Sequence, residues 1–297
     1  MAADPRVSKP WLWVTPKWTF PAQDGARVAT LNLLKHVTAQ GRVVDYLALA
    51  GEEEKVDFEQ ARRELGVRRV YVFRRKGAGS KAGTALNAAK SMVFQPGLAV
   101  TFRQFSSSEQ NARMERLLKE GAGKAMAECT AADGLQTPDW GTIVYDGLHP
   151  AAHSRKGNEF VRPEGPEGPL RVVYRAHNFE SDIWLRKAKL SKGPLKAFMA
   201  RQASQVAKFE NSLAAMSECV ATVSAEDFAL FKGVAPAVKG GVVPIGYEFT
   251  EPTAIKPGPG AQIMFLGRMD WPPNREGLQW FLKEVWPAVT ERRTDLT

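Results

Sequence analysis

The sequence predicts an α/β fold on an open, doubly wound parallel sheet, and three observations carry that prediction. Short β-rich runs recur at Trp11–Val14, Val43–Ala50, Val70–Phe73, Thr142–Tyr145, Val172–Ala176, Val220–Ser224 and Val242–Ile245. Several are nearly continuous in apolar residues, as parallel strands are when helices cover both sheet faces. Helical patterns separate them, so repeated strand-helix-strand units with right-handed crossovers follow.

After the first strand, Asp24 to Gln40 places Val28, Leu31, Leu34 and Val37 three apart, which gives one buried helical stripe. Asp24 suits the N-cap of that helix and Gly41 its stop. Phe102–Lys124 is rich in Glu, Arg, Leu and Met and reads as one surface helix. Residues 154–169, rich in Pro and Gly, read as a long irregular loop, and loops of that length are usually mobile or functional. Ser181–Ser217 reads as helix with a break at Gly193-Pro194.

Residues 250–260 (TEPTAIKPGPG) have the composition of an interdomain linker. Beyond it, 261–289 read as an apolar strand, a Gly-Arg turn and an amphipathic helix with Leu278, Phe281, Leu282, Val285, Trp286 and Val289 on one stripe. One strand and one helix are far below what an independent core needs. The expected organisation is an N-terminal Rossmann-like domain over 1–250, a linker over 251–260, and over 261–297 only the first β-α unit of a second Rossmann-like domain.

Bulk properties narrow the class. Apolar content of 44% with 25% charged residues excludes a disordered chain. The apolar runs are too short to span a bilayer, and the first residues, MAADPRVSKPWLWV, lack the apolar core of a signal peptide. A cytoplasmic protein is expected, with peripheral contact at the inner face of the membrane. Cys129 and Cys219 alone make neither a metal cage nor a disulfide framework. Lys plus Arg total 41 against 32 Asp plus Glu, a net charge of +9 that favours an anionic partner. Nucleic acid ranks last among such partners, because zinc-finger, RNA-recognition and zipper patterns are absent from the sequence.

Several residues have chemistry suited to a site. Gly25 lies between the first strand and the first helix, where a glycine permits close backbone approach and a helix N-terminus offers N–H groups to an anion. Arg27, one turn in, has the reach to meet a phosphate. His177 follows the strand ending at Ala176, at the sheet edge where open α/β folds bind ligands. Its imidazole suits a sugar hydroxyl or charge developing on a leaving group. Glu180 suits either a partner role or the first turn of the next helix. Gly267-Arg268 would set a guanidinium directly after an apolar strand, where it suits a diphosphate. His149 and His153, spaced i, i+4 without a third ligand, are poor evidence for metal, and no metal or other cofactor is expected. Residues 183–209 hold seven Lys or Arg and no acid among interleaved apolar residues, a composition suited to an anionic membrane surface.

A set of short motifs, in collinear order, resembles a known family. These are Phe20-Pro21-Ala22-Gln23-Asp24-Gly25-Ala26-Arg27, Tyr174-Arg175-Ala176-His177-Asn178-Phe179-Glu180, Phe209-Glu210 leading into Ala221–Asp227, Val243-Pro244-Ile245-Gly246, and Phe265–Asn274. Together they are similar to glycosyltransferases of family four with the GT-B fold, in particular bacterial sugar transferases of polysaccharide and cell-envelope assembly. The resemblance implies an acceptor-binding N-terminal domain and a nucleotide-sugar-binding C-terminal domain, with transfer retaining the anomeric configuration. It assigns donor-sugar contact to His177 and diphosphate binding to Gly267 and Arg268, with Asn274 near the place where many relatives carry a lysine. Glycan or lipid-linked acceptors are the implied partners. The family's two-glutamate motif does not occur by residue 297, so the sequence reads as truncated early in the C-terminal domain. The alternatives are a non-catalytic acceptor- or membrane-binding module lacking the donor site, and another GT-B enzyme such as a nucleotide-sugar epimerase.

Overall fold

The computed structural model describes residues 4–75, 99–103, 105–247, 263–269 and 272–293. The chain divides into two compact units, Met1–Glu248 and Phe249–Thr297. Six of the seven expected strands form in the first unit, β1 (Trp11–Thr15), β2 (Val44–Gly51), β3 (Arg69–Arg75), β4 (Thr142–Asp146), β5 (Arg171–Ala176) and β6 (Cys219–Thr222), and the seventh, β7 (Gly240–Val242), shares only Val242 with the expected Val242–Ile245. They make one sheet in the order β7-β6-β5-β4-β1-β2-β3, and every pairing is parallel. This is an α/β, Rossmann-like fold. The order reverses between β1 and β4, which run in register with Leu12 beside Ile143 and Val14 beside Tyr145.

Side-chain alternation divides the interior into two cores. Leu12 and Val14 face one side with Leu47, Tyr71, Tyr145, Tyr174, Phe209 and Phe231. Trp13 faces the other with Trp18, Leu34, Tyr46, Ala48, Val70 and Val144. Both faces of each central strand are therefore buried, which is why those strands read as unbroken apolar runs.

Local signals set the helices. In α1 (Gly25–Ala39) the Asp24 carboxylate accepts from the Arg27 N–H at 3.0 Å, and the chain leaves through Gly41 at φ +82°. α2 (Phe58–Leu65) is capped by Asp57 and ends on left-handed Gly66. The single helix expected over Phe102–Lys124 is instead three pieces. A turn at Val100–Arg103 is followed by α3 (Ser108–Glu120) and a turn at Ala122–Ala125. Ser107 and Gln110 form a reciprocal capping box that starts α3 afresh, and Gly121 at φ +93° stops it. The stretch expected as an irregular loop over 154–169 also has structure. It makes two short antiparallel pairs, Arg155–Lys156 with Glu159–Phe160 and Glu164–Gly165 with Gly168–Pro169. Phe160 anchors this arm by burying its ring against Tyr145 and Phe209. α4 (Glu180–Leu190) and α5 (Gly193–Met216) meet at Ser191-Lys192, and α6 (Ala225–Val234) follows β6.

The expected linker, residues 250–260, lies outside the described residues. The rest of the second unit departs from expectation in two ways. The apolar stretch expected as a strand is described from Ile263, and Ile263–Leu266 form no strand there, with Met264 83% and Leu266 89% exposed. Apolar character alone does not make a strand, because its backbone groups need a ladder partner. The helix is present from Pro272 to Arg292, but Phe281–Val285 adopts a π-helical turn. Pro287 explains the turn. It has no N–H for the Lys283 carbonyl four residues back, so the ladder widens just before it.

Candidate functional site

The strongest candidate site lies at the carboxyl edge of the sheet, beside the reversal between β1 and β4. Asp146 is the last residue of β4, fully buried, and accepts from four side chains. On Oδ2, Thr30 of α1 donates at 2.6 Å and the Trp13 indole at 3.1 Å. On Oδ1, Arg175 of β5 donates at 2.6 Å, and His177 Nε2 lies at 2.6 Å. Strand β4 thus carries the acid and β5 the guanidinium, and the turn after β5 carries the imidazole. Gly147, at φ +100°, takes the chain sharply out of β4, and its N–H donates to the Arg175 carbonyl at 2.8 Å.

Charge holds this cluster together. Burial alone would push the Asp146 carboxyl up, but the Arg175 charge and the bonds from His177 and Thr30 outweigh it and hold the carboxyl well below the usual range. Asp146 is therefore an ionised acceptor. An imidazole nitrogen bonded to it carries the proton, which fixes the His177 tautomer and leaves Nδ1 as the ring's second polar atom. The His177 ring is half-buried and borders a cavity of about 20 Å³ shared with Thr15, Lys17, Arg27 and Thr30. That volume suits about one water molecule.

The other expected residues have distinct surroundings. A Cβ on Gly25 would meet nothing within 4 Å, so its backbone faces open space. The Arg27 guanidinium is engaged within the protein: it donates to the Trp18 carbonyl at 2.7 Å, to Glu54 at 2.7 Å and to Asp24 at 3.4 Å. That arrangement ties the loop before α1 to the loop after β2. Glu180 opens α4 and has Asn178 Nδ2 at 3.5 Å. In the second unit, Asn274 Nδ2 donates to the Arg268 carbonyl at 3.1 Å, closing the turn in which Gly267 sits. A Cβ on Gly267 would come within 2.9 Å of that same Nδ2, so a larger residue there would have to displace the Asn274 side chain. Among the described residues, no group of three or more His, Cys, Asp or Glu is placed to hold a metal ion.

Glu210, in the middle of α5, is a second buried acid beside this edge. Its carboxylate accepts the backbone N–H groups of Glu180 and Ser181, both at 2.9 Å, and so caps α4 from a neighbouring helix. Burial pushes its carboxyl up to about 7, aided by the nearby Glu180 charge and opposed by the two backbone donors. The folded protein therefore holds this proton more tightly than the unfolded chain. Stability from Glu210 is present at low pH and falls as pH rises from about 4.5 to about 7, by about 3 kcal/mol. Urea unfolding across that range should show the slope, and Glu210→Gln should remove it. An unchanged slope in the variant would dismiss this assignment.

Sequence reasoning placed His177 at this edge but missed Asp146, Arg175, Thr30 and Trp13 as its companions. One signal was available. Arg175 is a charge inside an otherwise apolar strand, and such a charge demands a buried partner. No protein-family model matches the chain, and no curated protein matches it.

Proposed function

We propose that this protein is a GT-B glycosyltransferase related to family four. It would move a sugar from a nucleotide-sugar to a hydroxyl acceptor, with retention, in bacterial polysaccharide or cell-envelope glycan synthesis. The observation that carries the reading is the His177 imidazole, held by a buried Asp146–Arg175 pair at the carboxyl edge of a Rossmann-like sheet. In such folds ligands bind in the crevice outside that edge. The motif set supplies the sugar chemistry. On this reading His177 Nδ1 orients the donor sugar, and the charge around it steadies negative charge developing on the leaving group. Gly267 and Arg268, with Asn274 shaping their turn, are assigned to the donor diphosphate. Replacing Arg268 by Ala should weaken nucleotide-sugar binding about tenfold or more, the usual loss for a charge-assisted contact. Calorimetry checks this, and unchanged affinity removes Arg268 from the site.

The corner between α4 and α5 supports a membrane-side acceptor. Leu190 is 85% exposed, Leu195 51% and Leu185 43%, among Arg186, Lys187, Lys189, Lys192 and Lys196. Among the described residues no helix is long and apolar enough to cross a membrane, so this corner suits surface docking. Each cation near an anionic bilayer adds on the order of 1 kcal/mol. The protein should co-sediment with phosphatidylglycerol vesicles and not with phosphatidylcholine ones, and Leu190→Glu with Leu195→Glu should release it. Equal partitioning to both lipids would exclude the docking.

A second reading, a non-catalytic acceptor- or membrane-binding module, draws on the lack of any strand among the described residues of Phe249–Thr297. Tight nucleotide-sugar binding by this chain would contradict it.

A further inference from the structure

A groove of about 590 Å³ runs between α3 and the arm formed by residues 154–164. It lies apart from the Asp146–His177 cluster, and neither the motifs nor the proposed activity uses it. Three neighbouring residues of its wall are unusual together. His153 is 4% exposed, and both its ring nitrogens lack a hydrogen-bond partner among the described residues. Arg155 is half-buried and donates to the Ser106 hydroxyl at 2.9 Å and the Gly157 carbonyl at 3.1 Å. It pairs with no carboxylate among the described residues, and burial lowers its affinity for its proton. Lys156 beside it is exposed and stands opposite Glu159 in the antiparallel pair, while Glu159 pairs with Lys208 at 2.9 Å.

The remaining charged groups of the groove are engaged with one another, two cations against three carboxylates. Lys119 pairs with Glu115 at 3.0 Å and Glu164 at 3.8 Å, and Arg162 pairs with Glu218 at 2.6 Å. What is left is a half-buried guanidinium with no carboxylate partner among the described residues, beside a desolvated imidazole. A half-buried guanidinium without a counter-charge is costly, and an anion in the groove would offset that cost. Ser108, Asn111 and Ser154 add neutral hydrogen-bonding groups to the same walls.

We propose that this groove binds an oxyanion, the phosphate or carboxylate group of a small ligand, through Arg155 and Lys156 with His153 at its floor. Arg155 supplies the planar, two-point donor that such groups match, and Lys156 supplies a mobile charge at the rim. His153 is held neutral: burial, then the Arg155 and Arg113 charges, push it down to about 3. A bound anion supplies the opposite charge, so the ring's titration should move upward on binding.

The test uses the whole chain and reads binding, so it stands whether or not sugar transfer occurs. Inorganic phosphate, glucuronate and neutral glucose are titrated separately by calorimetry, with the histidine ring signals followed by NMR. Phosphate, glucuronate or both should bind saturably while glucose does not, and His153 should shift. The stronger of the two anions identifies a phosphorylated or a carboxylated ligand. Lys156→Gln, at an exposed position, should weaken binding about threefold or more, and Arg155→Gln about tenfold or more. Circular dichroism verifies that both variants remain folded, and Lys156→Gln stands alone if Arg155→Gln does not. Absence of saturable binding up to about 50 mM would overturn the proposal. So would binding that is unchanged in folded variants, which would mark an adventitious ion only.

Discussion

Replacing Asp146 by Asn should destabilise the protein by about 3–5 kcal/mol, the usual cost of breaking a buried ion pair from one side. The substitution keeps the shape of the side chain and removes its charge. Oδ1 lies against Arg175 and His177, and Oδ2 against Trp13 and Thr30, so either orientation of the amide turns its NH2 toward groups that donate. Arg175, whose side chain is only 2% exposed, would be left without its counter-charge. Urea unfolding of wild type and variant, with the slope of the transition compared, measures the loss. A change below about 1 kcal/mol would mean the four contacts do not act together. Pairing the substitution with Arg175→Met tests the cause. The double variant should recover part of the loss, because it removes the stranded charge along with its partner. The sign of the pH effect follows from the lowered Asp146 pKa. Its contribution is present above the ordinary aspartate range and is lost as pH falls through the depressed folded value, so the Asn variant should lose less stability in acid.

The sheet was legible in the sequence because burial of both faces leaves a run of apolar residues with no competing explanation. Val43–Ala50 and Thr142–Tyr145 became β2 and β4 within a residue or so at each end. Helix ends were legible where a capping residue stood at a composition change, as Asp24 does. They were missed where the cap was internal: Ser107 and Gln110 sit within a stretch of uniform helical composition, so nothing in the periodicity marks the break. The 154–169 arm was missed because two-residue pairings carry no period, and its order depends on the distant rings of Tyr145 and Phe209. Ile263–Leu266 had the composition of a strand, but pairing depends on a neighbour that composition cannot supply.

The site divides along similar lines. His177 was legible because a polar residue directly after a buried strand of a parallel sheet lies at the binding edge. Asp146 occupies the equivalent place after β4 and was not, because an acid followed by Gly147 resembles an ordinary exposed turn. Only the adjacency of β4 and β5, with Asp146 beside Arg175 in register, shows the acid to be the hub. The functional reading itself rests on motif resemblance joined to this geometry, and its next test falls on the imidazole that connects them.

Under the proposed function, His177→Ala should lower turnover by about 10²–10³, the range for removing one preorganised polar contact to a transition state, or about 2.7–4 kcal/mol. The fold should survive, since the ring is 18% exposed and the Asp146–Arg175 pair remains in place. Two further variants separate chemistry from support. Gln places an amide N–H near the Nε2 position and so retains the bond to Asp146, but leaves the Nδ1 position empty. Asn places a polar atom near Nδ1 and gives up Asp146. If Nδ1 meets the sugar, Asn should retain more turnover than Gln. If the imidazole only braces Asp146, Gln should restore activity and Asn should not. Turnover of the Ala variant within about twofold of wild type would remove His177 from the reaction, because a lost transition-state contact of any consequence costs more than that.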